Sequence, residues 1–486
     1  MTIRLGHLIA GEVPLPQGAE EISVHDLTSD SRTVKPGSVF AALHGSSVDG
    51  SKFIPQAIAA GAVAVIAGEG VEAHGVPVIR TSNPRQLFAH MAARYFGRQP
   101  DLIVAVTGTS GKTSVATFVR EIWTSMGFRA ASLGTVGVVS PSGTVELDHT
   151  TPDSMKLQKI AAQLAVDRVE HLALEASSHG LDQYRLDGLR IAAGAFTNLS
   201  HDHLDYHPSE EHYFSAKMRL FDELVPVGGC AVINVDTRRG LQAAERCRAR
   251  RLDLWTVGHT GDAIRVVDVV RGNGGQRITA DVKGGRHIIE LPLVGDFQVS
   301  NALVAAGLVL GTGGEEHLVM HALESLKGAK GRLELVGRSK SGAPVFVDYA
   351  HKPDALENAL SSLRPYTSNM LLVVFGCGGD RDRAKRPIMG EIATRLADRV
   401  YVTDDNPRTE EPAAIRAAIM AAAPGAVEIG SRAEAIRAAV DALEAGDVLV
   451  VAGKGHEEGQ KTGKTVLPFS DHDAVKAAIA GLDYHG

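Results

Sequence analysis

Short runs of β-branched and apolar residues, each closed by Gly, Pro, Ser or Asp, punctuate this chain, and stretches with apolar residues at helical spacing lie between them. Residues 1–98 carry the runs VFAAL (39–43) and AVAVIA (62–67), broken by SDSR, KPG and HGSSVDG, which predicts a small α/β domain. RQPDL (98–102) reads as a linker. Residues 99–330 open with a buried strand, LIVAVT (102–107), a Gly-rich turn, and a helix from Lys112 to Met126 stopped by Gly127; strands HLALE (171–175) and AGAFTNL (193–199) follow. In residues 331–486 four runs, VFVDY, MLLVVFG, RVYVT and DVLVVAG, alternate with helical patterns such as EIATRLA and AAIRAAIMAAA. That alternation predicts a parallel, doubly wound sheet. The expected fold class is therefore α/β in three domains, with a P-loop central domain and a Rossmann-like C-terminal domain.

Composition narrows the functional classes. A formal charge of −7 over 486 residues gives no broad basic field for nucleic acid or membrane, so an anionic ligand must be met locally. Three widely spaced cysteines, Cys230, Cys247 and Cys377, form no C-x-x-C pair and argue against a disulfide framework or a structural zinc site. The first residues lack the apolar core of a signal peptide, and the longest apolar stretch, Ala57 to Gly68, is shorter than a membrane span. A soluble cytoplasmic protein fits these features; a monomer is expected, although nothing in them sets the oligomeric state.

The segment Val106 to Ser114, VTGTSGKTS, stands where a phosphate cradle belongs, after a strand and opening a helix. Main-chain N–H groups around Gly108, Thr109, Ser110 and Gly111 and the positive helix end suit phosphate oxygens. Lys112 can reach between the outer phosphates, the Thr113 hydroxyl can ligate Mg²⁺, and Ser114 continues the cradle. Val106 replaces the first Gly of the longer phosphate-loop pattern, so the loop is the shorter G-x-x-G-K-T. Glu175, ending HLALE, offers a carboxylate for metal or water; its bland alternative is a capping acid. His201, His203 and His207 in NLSHDHLDYH invite a zinc reading, but without a cysteine and beside a phosphate cradle an oxygen-ligated Mg²⁺ is favoured.

In the C-terminal part, four polar loops, DYAHK, GCGGDRD, DDNPR and GKGHE, each begin where a predicted parallel strand ends, so all face one crevice, the usual ligand position in open α/β sheets. Arg381, Asp405, Arg408 and Glu457 then supply two cations and two anions. A ligand with an ammonium and a carboxylate at its far end matches that pattern, whereas a lysine side chain would leave the arginines unpaired. A β-turn explains Pro407 of DDNPR without explaining Arg408.

GTSGKTS, LEASSHGLDQYR, TNLSHDHLDYH, YFSAKMRLF, GDFQVSNALVA, VDYAHKPDAL, GCGGDRDRAKRP, DDNPRTEEP and VAGKGHE occur in this order from 108 to 457, and together they resemble the Mur ligases, most of all the members that add diaminopimelate. LTSDSRTVKPGSVFAALHGSSVDG extends the resemblance to nearly the whole chain. The resemblance implies an ATP-dependent amide ligase of peptidoglycan synthesis. ATP and Mg²⁺ are the implied cofactors, with UDP-MurNAc-L-Ala-D-Glu and meso-diaminopimelate as substrates and no nucleic acid or membrane partner. It implies that Lys112 neutralises the transferring phosphoryl group, that Thr113 and Glu175 hold Mg²⁺, and that His203 joins a second metal. Lys217 matches the lysine that the family carbamylates to N6-carboxylysine, a chemistry that needs a desolvated amine or neighbouring cations; alone, it reads as a solvated helix lysine. Ser29, Ser31, Ser46, Ser47 and Val48 are implied at the uridine and pyrophosphate end, and Thr150, Thr151, Ser177, Gln183 and Arg185 along the muramoyl-peptide path. Asn301, Arg332, Asp348 and His351 match ATP contacts. Arg381, Asp405, Asn406, Pro407, Arg408, Gly453 and Glu457 match the diaminopimelate site. Because the ATP contacts lie in both the central and C-terminal domains, domain closure on ligand binding is expected.

Ser110 stands where the family usually has Asn, Lys352 where Thr is common, and His149 where Asn is frequent. Amide ligases acting on folate or cyanophycin are disfavoured by the N-terminal domain and by DNPR. A nucleotide switch protein is disfavoured because no N-K-x-D segment occurs.

Overall fold

The computed structural model describes residues 2–45, 48–200, 202–203, 206–272 and 275–484. Contacts divide the chain into two compact units, residues 1–265 with 303–319, and residues 266–302 with 320–486.

The first unit begins with a parallel four-stranded sheet, β1 (Asp26–Thr28), β2 (Ser38–Ala41), β3 (Ala64–Ala67) and β4 (Val78–Arg80), in sequential order. Both faces of β2 and β3 are buried, which is why they read as continuous apolar runs rather than alternating ones. Helix α1 (Pro84–Phe96) follows, capped by the Asn83 side chain and ended by Gly97 at φ 72°. A second parallel sheet takes the order β6 (Ala130–Gly134), β7 (His171–Glu175), β5 (Leu102–Thr107), β8 (Ile191–Phe196), β9 (Cys230–Asn234), β10 (Asp253–Gly258). β5 is central, so the helix that follows it, α2 (Lys112–Ser125), starts at the middle of the sheet's carboxyl edge. Two short antiparallel strands beyond β6, at Gly137–Ser140 and Gly143–Val145, were not foreseen; they are short and hairpin-linked, and the second is wholly exposed, so no long buried run marks them.

The second unit holds β11 (Pro344–Asp348), β12 (Leu371–Phe375), β13 (Arg399–Val402) and β14 (Val448–Ala452), all parallel, with β14 inserted between β11 and β12. These are the four apolar runs of the sequence. Their interiors are almost wholly buried between two layers of helices, with Phe346, Val373 and Val450 on one side and Val345, Val374 and Val451 on the other. A hairpin, β15 (Gly459–Thr462) and β16 (Thr465–Pro468), follows β14.

Candidate functional site

The phosphate loop follows β5 and turns into α2 through Gly108 (φ 147°) and Gly111 (φ 87°). A Cβ on Gly108 would lie 2.0 Å from Thr197 Oγ1, so only glycine lets the loop pass the end of β8. That neighbour braces the loop: Thr109 N–H donates to Asn198 O at 2.9 Å, Ser110 N–H to Asn198 Oδ1 at 3.0 Å, and the Thr197 hydroxyl to Ser110 O at 2.6 Å. Thr197 and Asn198 were not singled out from sequence; their only signal was position at a strand end beside the cradle. Lys112 Nζ donates to Gly108 O (2.8 Å) and Thr109 O (2.7 Å), while Thr113 and Ser114 are buried in the first turn of α2.

Past the short helix α3 (Ser178–Asp182), helix α4 (Glu210–Arg219) presents Lys217 to the same loop. Lys217 Nζ donates to Gly108 O at 2.8 Å, the oxygen that Lys112 also uses, and sits 4.3 Å from the Tyr213 ring centre. Burial, then the charge of Lys112, hold its ammonium well below the ordinary lysine range. The desolvation and the cationic neighbour demanded of Lys217 are both present.

Glu175 ends β7, fully buried, opposite Val106 in the adjacent β5. Its carboxylate accepts from Thr135 N–H (2.7 Å) and the Thr135 hydroxyl (3.3 Å). Gly134 makes room for it, since a Cβ there would lie 2.0 Å from Oε1. Thr113 and Glu175 are hard oxygen donors of the kind Mg²⁺ takes. His203 adopts φ 55° and packs against His179 at 5.0 Å, with Asp202 Oδ2 at 3.6 Å from Nε2. His201, Ser46 and Ser47 lie outside the described residues. His207 is buried with its pKa pushed down to about 4 by desolvation, and its Nδ1 lies 2.9 Å from His212 Nδ1. Among the described residues no group of three or more His, Cys, Asp or Glu side chains is placed to hold one metal ion.

The expected muramoyl-peptide residues form one connected group. Thr150 Oγ1 lies 3.1 Å from Thr135 Oγ1; Thr151 donates to Glu175 O (2.8 Å) and accepts from Ser177 N–H (3.1 Å), and Ser177 caps α3. Arg185 donates to Thr151 O (2.6 Å) and to Gln183 Oε1 (2.8 Å), while Gln183 Nε2 donates to Tyr206, whose hydroxyl donates to Asp182 (2.7 Å). Ser29 and Val48 are exposed, and Ser31 donates to Gln56 at 3.2 Å. Sequence reasoning missed Arg85, which donates to His44 O at 2.5 Å and lowers the Arg185 pKa by like charge, after desolvation.

In the second unit, Asn301 Nδ2 donates to Gln298 Oε1 (3.1 Å) and Gln298 donates to Arg332 O (3.3 Å), joining two of the expected ATP residues. The Arg332 guanidinium lies 5.1 Å from the Tyr349 ring centre. Burial pushes the Asp348 carboxyl up to about 6, against the pull of Arg332, and Asp348 accepts from Leu333 N–H at 2.7 Å. His351 Nδ1 lies 2.8 Å from Tyr349 O, and burial lowers its pKa.

The DDNPR loop follows β13. Asp405, Asn406 and Pro407 are buried, and Arg408 adopts φ 53° with Nη1 donating to Gly379 O at 2.8 Å. Asn406 Nδ2 donates to Glu457 Oε2 (2.9 Å), and Lys454, fully buried, donates to Asn406 Oδ1 (3.1 Å) and Glu457 Oε2 (3.3 Å). Gly453, at φ 122°, leaves space for Asp405, whose Oδ2 would be 2.8 Å from a Cβ there. Arg381 stays on the exposed rim, donating to Asp380 O at 3.0 Å. Lys454 is therefore a cation that the four-charge picture omitted, though it stood within GKGHE.

Family models match the chain in three successive parts: Mur ligase family, catalytic domain, over residues 23–96; Mur ligase middle domain over 106–309; and Mur ligase, glutamate ligase domain over 331–455. The chain belongs to the Mur ligase family. The UDP-N-acetylmuramoyl-L-alanyl-D-glutamate--2,6-diaminopimelate ligase of Bradyrhizobium diazoefficiens is 55% identical to this Mur ligase over 98% of its chain and 99% of the relative's. That of Rhizobium meliloti is 56% identical over 96% of each. A solved structure of a ligase of that name superimposes with a TM-score of 0.76 at 33% identity, covering 99% of both chains. A Mycobacterium tuberculosis folylpolyglutamate synthase shares the fold, with a TM-score of 0.61 at 19% identity over 76% of this chain and 92% of its own. The family architecture is three-domain α/β, as expected from the strand and helix alternation. No helix among the described residues is long and apolar enough to cross a membrane.

Proposed function

We propose that this Mur ligase joins meso-2,6-diaminopimelate to UDP-N-acetylmuramoyl-L-alanyl-D-glutamate with hydrolysis of ATP, in cytoplasmic peptidoglycan synthesis. The observation that carries the reading is 55% identity over 98% of the chain to an enzyme named for that reaction. The domains are assigned as residues 1–98 for the UDP end of the substrate, 99–330 for ATP, and 331–486 for the incoming amino acid, acting as a monomer.

In the first step a carboxylate oxygen of the dipeptide attacks the γ-phosphorus, an acyl phosphate forms, and ADP leaves. Lys112, released from its loop carbonyls, offsets negative charge on the transferring group. Thr113 and Glu175 are the residues that would hold Mg²⁺, with His203 for a second ion; the metal would supply charge neutralisation of the phosphate oxygens. The Lys217 amine is set to add to carbon dioxide, forming an N–C bond and losing a proton, because its site disfavours the ammonium. Gln183 and Arg185 orient the peptide carboxylates, and Ser29, Ser31, Ser46, Ser47 and Val48 serve the nucleotide end. Asn301, Arg332, Asp348 and His351 serve ATP.

In the second step the amine of diaminopimelate attacks the acyl carbon, the tetrahedral adduct loses phosphate, and the nitrogen loses a proton. Arg408, with Arg381, faces the distal carboxylate of the amino acid, while Asp405, Asn406 and Glu457 face its distal ammonium. Phosphate release with the UDP-dipeptide and ATP tests the reading. Release that depends on diaminopimelate is expected, and equal release with L-lysine, or without any acceptor, would overturn it.

A further inference from the structure

The hairpin β15–β16 has no core to serve: every residue from Lys461 to Pro468 is exposed, including Val466 and Leu467. Its outer edge nevertheless meets the DDNPR loop. Lys461 pairs with Val466 inside the hairpin but spends both of its main-chain groups outside it. Its N–H donates to Asn406 Oδ1 at 2.9 Å and its carbonyl accepts from Arg408 N–H at 2.9 Å. Gly463 N–H donates to Arg408 O at 2.6 Å, and Gln460 Nε2 donates to Asp405 O at 2.7 Å. Four bonds thus fall on three positions of one loop. Arg408 bridges to Thr462 in strand fashion while holding φ 53°, a left-handed conformation that a non-glycine residue rarely adopts and keeps only where its surroundings impose it.

We infer that the hairpin 459–468 is a positioning clamp for the amino-acid-binding loop, setting the aim of Arg408 and hence the selectivity for an acceptor with a distal carboxylate. The inference rests on the proposed role of Arg408. A flexible loop would populate the extended conformations that arginine prefers and would present the guanidinium in many directions; the clamp removes that freedom before the ligand arrives, which is how pre-organisation raises affinity.

The test is steady-state kinetics on the full-length enzyme carrying Lys461→Pro, which deletes the N–H to Asn406 and leaves the hairpin's inward ladder intact. The KM for diaminopimelate should rise about tenfold, the preference over L-lysine should fall, and the KM values for ATP and the UDP-dipeptide should stay within about twofold. Val466→Pro, the same change on the facing strand, removes no bond to the loop and should leave the diaminopimelate KM in place. Gln460→Ala should give a smaller rise in the same direction, and decides the matter if Lys461→Pro does not fold. Hydrogen exchange at the Arg408 amide should quicken in Lys461→Pro. An unchanged diaminopimelate KM together with faster exchange, or unchanged exchange, overturns the clamp. Absence of diaminopimelate turnover in the unmodified enzyme would instead sink the proposed activity, and the exchange experiment would still judge the clamp.

Discussion

Two loops at the ends of parallel strands carry the charged side chains of the two candidate sites, and they are held in different ways. The phosphate loop, 108–114, is encoded where it stands: glycines at 108 and 111 take the positive φ values, Lys112 folds over its own carbonyls, and the neighbouring strand end at 197–198 braces it. The 404–408 loop has no local device. Arg408 takes a positive φ without being glycine and its guanidinium donates to Gly379 O, 29 positions back, while Asn406 is fixed by Lys454 and Lys461, roughly fifty positions further along. A cradle for a constant ligand can take its turns and its cation from one segment and only its bracing from elsewhere. The loop that selects an amino acid draws its geometry from several.

The largest effect that could break this comparison is Lys112→Ala. Removing the one cation the phosphate loop supplies should lower kcat by about 10³-fold, measured as phosphate release, with little change in the diaminopimelate KM. Arg408→Ala comes next: leaving a desolvated carboxylate unpaired should weaken diaminopimelate binding by about 2 to 5 kcal/mol, read by calorimetry, with ATP binding unaffected. Arg408→Gly would relieve the backbone but lose the charge, and an equal loss in both variants would show that charge outweighs conformation.

A pH series sharpens the comparison further. The Asp348 carboxyl is raised to about 6 in the folded protein, so between its ordinary value near 3.8 and about 6 the native state holds a proton that the unfolded chain has released. Its contribution to stability is therefore full below that window and declines as pH rises through it. Asp348→Asn should lack that slope, so the difference in melting temperature between variant and parent should change across the same pH window. The smallest effect is Ser110→Asn. The Ser110 main chain, not its side chain, makes the bonds to Asn198, so stability should change by less than about 0.5 kcal/mol and activity should persist.

How much of this was legible follows the same division. The strands β5, β7, β11, β12, β13 and β14 were readable because burial on both faces leaves continuous apolar runs, and the phosphate loop was readable because its glycines and lysine are adjacent. The convergence of the C-terminal loops was deducible from parallel topology alone. Lys454 escaped as a charge because its burial depends on Asn406 and Glu457, which only the folded loops bring near. The hairpin escaped too, although Thr462-Gly463-Lys464-Thr465 carries a turn signal between β-capable residues; its function lies in a pairing with Arg408 that no local pattern encodes.

Gly134 has a different bearing. With the Glu175 carboxylate filling the volume where its side chain would begin, even the step to alanine would force that carboxylate, proposed above to hold Mg²⁺, to move. A substitution at Gly134 would thus reach the proposed metal site from inside the sheet, whereas side chains such as those of Lys464 and Val466 on the exposed hairpin can change without displacing any neighbour of that kind.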